Sequence, residues 1–322
     1  MAEIRVGIAG WTYPPWRGNF YPDTLPQKLE LAYASRRFNA LEINGTFYSL
    51  QRPSSFKSWY DSTPPGFVFS LKGGRFLTHI RRLKDPQEPL ANFFASGLLC
   101  LREKLGPILW QFPPFMPFIE DRFKEFFDLL PHDTEELARL AQQHTASSDD
   151  RVYLEPDAKR PVRHAIEFRH DSFLTDRFVS LVRQHNIALV VADAASKFPT
   201  TEDVTADWVY ARLHGSREMY ISGYAPEEIT AWAAKVRTWH AGDEPADVRR
   251  VGAPAPKAPN GRDVFVFFDN TDVKQRAPVD ARQMMEELGI ASDQTIDQVL
   301  AELPIQAKAA KTRRAPRKKE ES

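Results

Sequence analysis

Apolar runs of strand length recur along this chain of 322 residues, each trailed by polar or aromatic positions. They read "IRVGIAG" (4–10), "ALEIN" (40–44), "FVFSLK" (67–72), "PILWQF" (107–112), "HAIEFR" (164–169), "IALVVAD" (187–193), "WVYARLH" (208–214) and "VFVFFDN" (264–270). Short runs of this kind predict buried strands. Between them, apolar positions fall near the 3.6-residue helical period. Leu25, Leu29, Ala32 and Tyr33 share one face, as do Leu174, Phe178, Leu181 and Val182, and Ile229, Trp232, Val236 and Trp239. "DRFKEFFDLL" follows the same rule, "PSSFKSWYDST" predicts a short helix, and "EPLANFFASGLLCLREKL" predicts a long one.

Strands alternating with helices imply parallel crossovers. Eight such units predict a closed (β/α)8 TIM-type barrel. The stretch 194–207 reads as loop rather than helix, so the barrel is expected to be irregular between strands six and seven. The competing arrangement is an open doubly wound sheet, but the first turn, "GIAGWTYPPW", lacks the glycine spacing of a dinucleotide fold. Two insertions stand out: 131–162, with a polar helix and a charged loop, and 241–261, rich in Pro, Gly and Ala and expected to be mobile. The division expected is one barrel domain over 1–306 and a basic tail, disordered by composition, over 307–322.

Charge and composition change this picture at few points. Basic and acidic residues balance at 43 each. Seven basic residues crowd the tail against Glu320 and Glu321, so the body is mildly acidic. The single cysteine, Cys100, excludes an internal disulfide and fits a reducing compartment; a packed structural thiol is expected. No apolar run reaches membrane-spanning length, and the first residues lack the layout of a secretory leader. A soluble cytoplasmic protein is expected.

Polar side chains collect where the strands end. The first strand leads into Trp11, Tyr13, Trp16 and Arg17, and the second supplies Glu42 and Asn44, then Thr46 and Tyr48. Lys72, Arg75 and His79 follow the third, Gln111 ends the fourth, and Glu167, Arg169 and His170 end the fifth. The last three give Asp193, then Arg212 with His214, then Asp269 with Asn270. Side chains alternate along a strand, so Glu42 and Asn44 share a face, as do Glu167 and Arg169, and Arg212 and His214. In a barrel the carboxyl ends of the strands form the mouth where active sites assemble. The alternative for each carboxylate is a buried ion pair with Arg169 or Arg212.

"GIAGWTYPPWRGNFYP", "LEINGTFYSL", "FSLKGGRFLTHIRRLKD", "LGPILWQFPP", "AIEFRHDSF", "YARLHGS" and "VFVFFDN" follow one another in order from about residue 3 to residue 290. Together they resemble the YecE-like family, domain of unknown function 72. The resemblance implies a TIM-type barrel and supplies no established reaction. Its barrel is similar to those of the endonuclease IV and xylose isomerase group, an analogy of fold that leaves function open.

The strongest local signal is "LKGGRFLTHIRRLKD". A strand end, a Gly-Gly turn and several cations suit phosphate or another oxyanion; Arg81, Arg82 and Lys84 also read as plain exposed charge. Trp11, Tyr13, Trp16, Phe47, Tyr48, Phe112 and Phe115 could stack bases or sugars, or pack as core. Glu42, Glu167, Asp193, His214 and Asp269 could converge on a divalent metal, Mg or Mn rather than zinc, and hydrolyse a phosphodiester. Nearby Lys72, Arg169 and Arg212 would compete for them. Glu42 and Glu167 could serve a glycosidase, although Arg169 suits a nucleophile there and not an acid. No GxSxG elbow is present, and Asp171 or Ser172 reads as a helix cap.

The leading expectation is a phosphate-containing ligand at the mouth, DNA or RNA included, with phosphodiester hydrolysis as the reaction. Glu42, Glu167, Asp269 and His214 would be catalytic. Trp11, Asn44, Tyr48, Lys72, Arg75, His79, Gln111, Arg169, Asp193, Arg212 and Asn270 would hold ligand or orient the other groups. Glu42→Gln is expected to abolish turnover with the fold intact. The alternative is an enzyme acting on a small sugar or sugar phosphate. No membrane partner is expected.

Overall fold

A computed structural model describes residues 1–269, 274–291 and 294–304. Its eight strands are β1 (Ile4–Ala9), β2 (Ala40–Ile43), β3 (Val68–Lys72), β4 (Leu105–Gln111), β5 (His164–Glu167), β6 (Ala188–Asp193), β7 (Trp208–Leu213) and β8 (Asp263–Phe268). They pair in parallel in chain order, and β8 closes onto β1. The helices are α1 (Glu30–Arg37), α2 (Gly45–Tyr48), α3 (Pro53–Ser62), α4 (Gln87–Ala95), α5 (Glu120–Asp128), α6 (Thr134–Ala141), α7 (Asp176–Gln184), α8 (Pro226–His240), α9 (Ala277–Glu287) and α10 (Ile296–Ala301). Expected Asn270 and the basic tail lie outside the described residues.

Both faces of such a sheet are covered, which is why the strands read as continuous apolar runs. Alternate residues split into two cores. Ala40, Leu109, Ala165, Val190, Tyr210 and Phe267 pack inside the barrel. Their neighbours in sequence, among them Leu41, Ile108, Ile166, Val191, Ala211 and Val266, meet the helices outside.

The irregular unit is where the sequence placed it: no helix stands between β6 and β7. Asp203, 1% exposed, ties this loop to the segment 241–261 by accepting from the amides of Val251 and Gly252. Arg183 adds a bond to the Ala253 carbonyl. The segment expected to be mobile is therefore tied down at 251–253. In 131–162, α6 is capped by Asp133, whose carboxylate accepts from the Glu135 and Glu136 amides. It buries Leu137 and Ala141.

The long helix expected over 88–105 is interrupted. Gly97 has φ +121°, and a Cβ there would stand 2.7 Å from Pro53 Cα, so the helix stops at Ala95 and a tighter turn resumes at Leu98. Cys100 sits in that second piece, buried as expected, its thiol pushed up to about 11 by burial. The cap of α7 is also displaced from Asp171 or Ser172: Thr175 accepts from the Phe178 amide instead.

One buried histidine ties the barrel to the 131–162 insertion. His164, 3% exposed, accepts from Trp110 Nε1 at 3.1 Å through Nδ1, which leaves Nε2 to donate to the Pro131 carbonyl at 2.9 Å. Burial pushes this imidazole down to about 4. The unfolded chain then binds the extra proton first, so stability is full above pH about 6.5 and declines as pH falls toward 4, by about 3 kcal/mol from this group. Urea midpoints between pH 7 and 4.5 should fall less steeply in His164→Gln than in the parent; equal slopes would remove His164 as the cause.

Candidate functional site

The pleat brings Glu42, Lys72, Gln111, Glu167, Arg212 and Asp269 to the interior face at the carboxyl ends of their strands. Each lies two residues beyond an inward-facing position, such as Ala40, Leu109, Ala165, Tyr210 or Phe267. Arg169 and His214 stand one step higher, whereas Asn44 has left β2 for a helical backbone at the start of α2.

Arg212, fully buried, is the hub. Its Nε and Nη2 grip Glu42 at 3.0 and 2.7 Å, Nη1 reaches Glu167 at 2.5 Å, and Nη2 also meets Asp269 at 2.8 Å. Arg169 holds the other oxygen of Glu167 at 2.9 Å. Beneath them, Tyr210 donates to Glu42 at 2.7 Å and meets Ser70 Oγ at 2.7 Å. Burial alone would raise the Glu167 carboxyl, but Arg212 and Arg169 hold it well below the usual carboxylate range. Burial likewise opposes ionisation of Asp269, and Arg212 with His214 prevails. The same carboxylates push the Arg212 guanidinium well above its ordinary value against its own burial.

The arrangement expected for a metal is thus filled by a guanidinium. Both oxygens of Glu42 and of Glu167 accept from arginine. Among the described residues no group of three His, Cys, Asp or Glu side chains is disposed to hold an ion. Asp193 does not join the others. Ala188, Val190 and Ala192 face inward, so Asp193 faces outward beside Tyr224, Trp232 and Lys235, where burial raises its carboxyl.

A second set of groups is only partly satisfied by the described residues. The Lys72 ammonium lies 4.6 Å from the centre of the Phe47 ring and makes no hydrogen bond or ion pair with a described residue. Burial and Arg212 push it down to about 8. Exposed Arg75 also makes no such bond to a described residue. Asn44 Oδ1 and both ring nitrogens of His214 are buried without an aligned hydrogen bond. His214 Nδ1 stands 3.2 Å from Asp269 Oδ2, a charge contact that lacks that alignment. The Gln111 side chain, 5% exposed, is engaged by no described residue. His79, half-buried, shares a 2.9 Å bond with Thr78 and packs edge-on to Phe47. Burial, then Lys72, Arg169 and Arg75, push it down to about 4. Three cations therefore converge around a neutral imidazole.

Aromatic expectations divide. Trp16 and Phe112 are fully buried core, whereas Trp11 is half-buried against Trp59, and Tyr48 and Phe115 stand exposed. Several participants lie outside the residues singled out from sequence. Tyr210 and Ser70 pass for core positions, and only Tyr210's spacing from Arg212 hints otherwise. Tyr220 accepts from Arg169 at 3.0 Å and packs on His214 from a left-handed backbone with φ 68°. Phe198 lies 4.5 Å under the Arg169 guanidinium. The Gly-Gly turn also has a different role: the Gly73 amide donates to the Leu109 carbonyl, and a Cβ there would stand 2.2 Å from the Trp110 ring.

Fold and site together define a parallel (β/α)8 barrel protein with an arginine-centred polar mouth. Comparison narrows this. The family model described as "Protein of unknown function DUF72" matches residues 5–304, and the chain belongs to that family. It is 25% identical to UPF0759 protein YecE of Escherichia coli K12 over 241 residues, 74% of this chain and 82% of that one. Against UPF0759 protein YunF of Bacillus subtilis the identity is 30% over 122 residues, 35% of this chain and 40% of that protein. A crystal structure of a DUF72 family protein from Thermotoga maritima superimposes with TM-score 0.66 at 25% identity, covering 89% of this chain and 99% of the other. One from Enterococcus faecalis gives 0.60 at 17%, covering 90% and 97%, a likeness of fold. Among the described residues no helix is long and apolar enough to cross a membrane.

Removing Arg212 would leave three carboxylates buried without it. Arg212→Met should cost about 3–5 kcal/mol at pH 7. The deficit should shrink in acid, because the stranded carboxyls then protonate, whereas the parent loses stability as Glu167 and Asp269 are forced to take protons. Urea unfolding from pH 7 to 4 checks both; an equal deficit at every pH would contradict the assignment. Glu42→Gln disturbs the same hub, so lost activity in that variant would report on the fold as well as the chemistry.

Proposed function

We propose that the mouth binds a small phosphate ester that also carries hydroxyl groups, such as a sugar phosphate. The observation that carries this reading is the contrast between the two sets of polar groups. Arg212 and Arg169 are paired with carboxylates, while Lys72 and Arg75 are cations without a counterion among the described residues, and both act on His79. Charge-assisted bonds from such cations are the usual means of holding a phosphate. The acceptor Asn44 Oδ1 calls for a donor, which a hydroxyl supplies and a bare phosphate dianion does not. The Gln111 amide can serve either.

Phosphodiester hydrolysis does not form part of this reading. Its expected base or metal ligands, Glu42, Glu167 and Asp269, are engaged by Arg212. Nucleic acid remains as a second reading on one observation: exposed Arg81 and Arg82 lie over Phe76 and Phe115 on the rim, at 5.6 and 5.1 Å. Such pairs suit phosphate and base together.

Calorimetry with ribose 5-phosphate, ribose, inorganic phosphate and a single-stranded oligonucleotide separates these readings. Ribose 5-phosphate should bind and ribose should not. The double variant Lys72→Ala/Arg75→Ala removes two charge-assisted bonds to the ester and should weaken binding by about 100-fold or more. Ester binding unaffected by the double variant, or absent from the parent, would overturn the reading. Binding of the oligonucleotide alone, lost in Arg81→Ala/Arg82→Ala, would favour the second.

The pH dependence has a definite sign. Lys72 is pushed down to about 8 in the free protein, and a bound anion raises it. Affinity for the ester should therefore hold near pH 7.5 and fall as pH rises past 8, with proton uptake on binding between pH 8 and 9. Titrations in buffers of different ionisation enthalpy measure that uptake; none at pH 8.5 would remove Lys72 from the contact.

A further inference from the structure

We propose that Lys72 is a covalent site: its Nζ condenses with the carbonyl of an aldehyde or ketone carried by the phosphorylated ligand. This deepens the reading above and rests on it.

The argument begins from two lysines with opposite surroundings. Lys104, 4% exposed, donates to the Tyr60 carbonyl, the Thr63 carbonyl and Thr63 Oγ1 at 2.7, 2.7 and 3.0 Å. All three of its donors are satisfied, as a structural lysine requires. Lys72 has none satisfied by a described residue, though it ends a barrel strand with its side chain on the interior face. Arg212 below it repels its charge, and its ammonium lies against the Phe47 ring. A methionine or glutamine would fill that space without stranding a charge. What lysine adds is an amine that can lose its proton, which a guanidinium cannot do here. Its depression to about 8 leaves a substantial neutral fraction near neutrality.

The chemistry closes without a further reagent. The neutral amine's lone pair attacks the carbonyl carbon, a C–N bond forms, and the π pair moves to oxygen, which takes a proton. The nitrogen gives up a proton to yield a neutral carbinolamine. Protonation of its hydroxyl lets the C–O bond break, water leaves, and the nitrogen lone pair forms the C=N bond of an iminium. The sum is ammonium plus carbonyl giving iminium plus water. His79 meets the same Phe47 ring as Lys72, at 5.0 Å between centroids, with Nδ1 held by Thr78, and we assign it the proton relay. The iminium keeps the single positive charge of the ammonium it replaces, so the carboxylates around Arg212 face the same charge before and after.

The test is hydride trapping on the full chain. Protein is incubated with dihydroxyacetone phosphate or glyceraldehyde 3-phosphate and sodium cyanoborohydride at pH 7.5, then digested with trypsin. A secondary amine at Lys72 blocks cleavage there, so a peptide spanning 58–75 should replace 58–72 and 73–75. At ester concentrations well below saturation, labelling should run at least tenfold faster at Lys72 than at Lys104 or any surface lysine, and rise with pH around the free protein's midpoint near 8. Lys72→Arg, checked as folded by circular dichroism, should carry no fast label. Calorimetry of the parent with the same esters, without hydride, separates the two claims. Esters that bind but leave Lys72 no faster than other lysines overturn the imine and spare the binding reading. Absence of both binding and label overturns both.

Discussion

One guanidinium organises the upper half of this barrel. Arg212 reaches carboxylates from β2 and β5 and from the end of β8, so elements far apart in sequence meet at a single planar group. Three acids brought this close would repel one another and could not all stay ionised. The fork of donors on arginine, fixed in a plane, satisfies them at once. Tyr210, on the same strand, supports Glu42 from below, and Arg169 supports Glu167 from above. The remaining polar groups of the mouth sit on a platform whose carboxylates are already engaged by arginine.

That platform gives the unengaged groups their character. Lys72 stands over a saturated network, so the nearby acids pull its pKa up without pairing with it, and burial wins. His79 is left neutral because burial disfavours its charged form, with Lys72, Arg169 and Arg75 adding to that effect. The molecule thus separates a densely bonded ion cluster from a small group of donors and acceptors with few partners among the described residues. A site built only from the cluster would be structural; one built only from the second group would have no fixed geometry.

The barrel was legible in the sequence because each strand, buried on both faces, announces itself as an apolar run, and because most of the runs are separated by amphipathic helices. The mouth was partly legible. Alternation put Arg212 with His214 on a shared face, and both reach Asp269; Asn44, expected beside Glu42, leaves the strand for the start of α2. It failed for Asp193, where "IALVVAD" is apolar at every earlier position and carries no sign of which parity faces inward. It was silent on Tyr220 and Phe198, which reach Arg169 from loops that have no period. That Arg212 engages the acids was one of the two alternatives the sequence left open, since the same acids suit an arginine or a metal and only their distances decide. The break at Gly97 had a signal in "SG", overridden by the apolar pattern on both sides.

Gly73, Trp110 and His164 form a column running outward from the mouth. The backbone of Gly73 rests on the indole, the indole is bonded to the imidazole, and the imidazole is bonded to Pro131 at the start of the insertion. This sets a boundary for anyone who would graft a new specificity loop onto β3. A cut made at Gly73 removes the flat contact on which the loop is seated, and any side chain there collides with the ring. A cut made after Gly74 leaves the seat intact and exchanges only the arm that begins at Arg75.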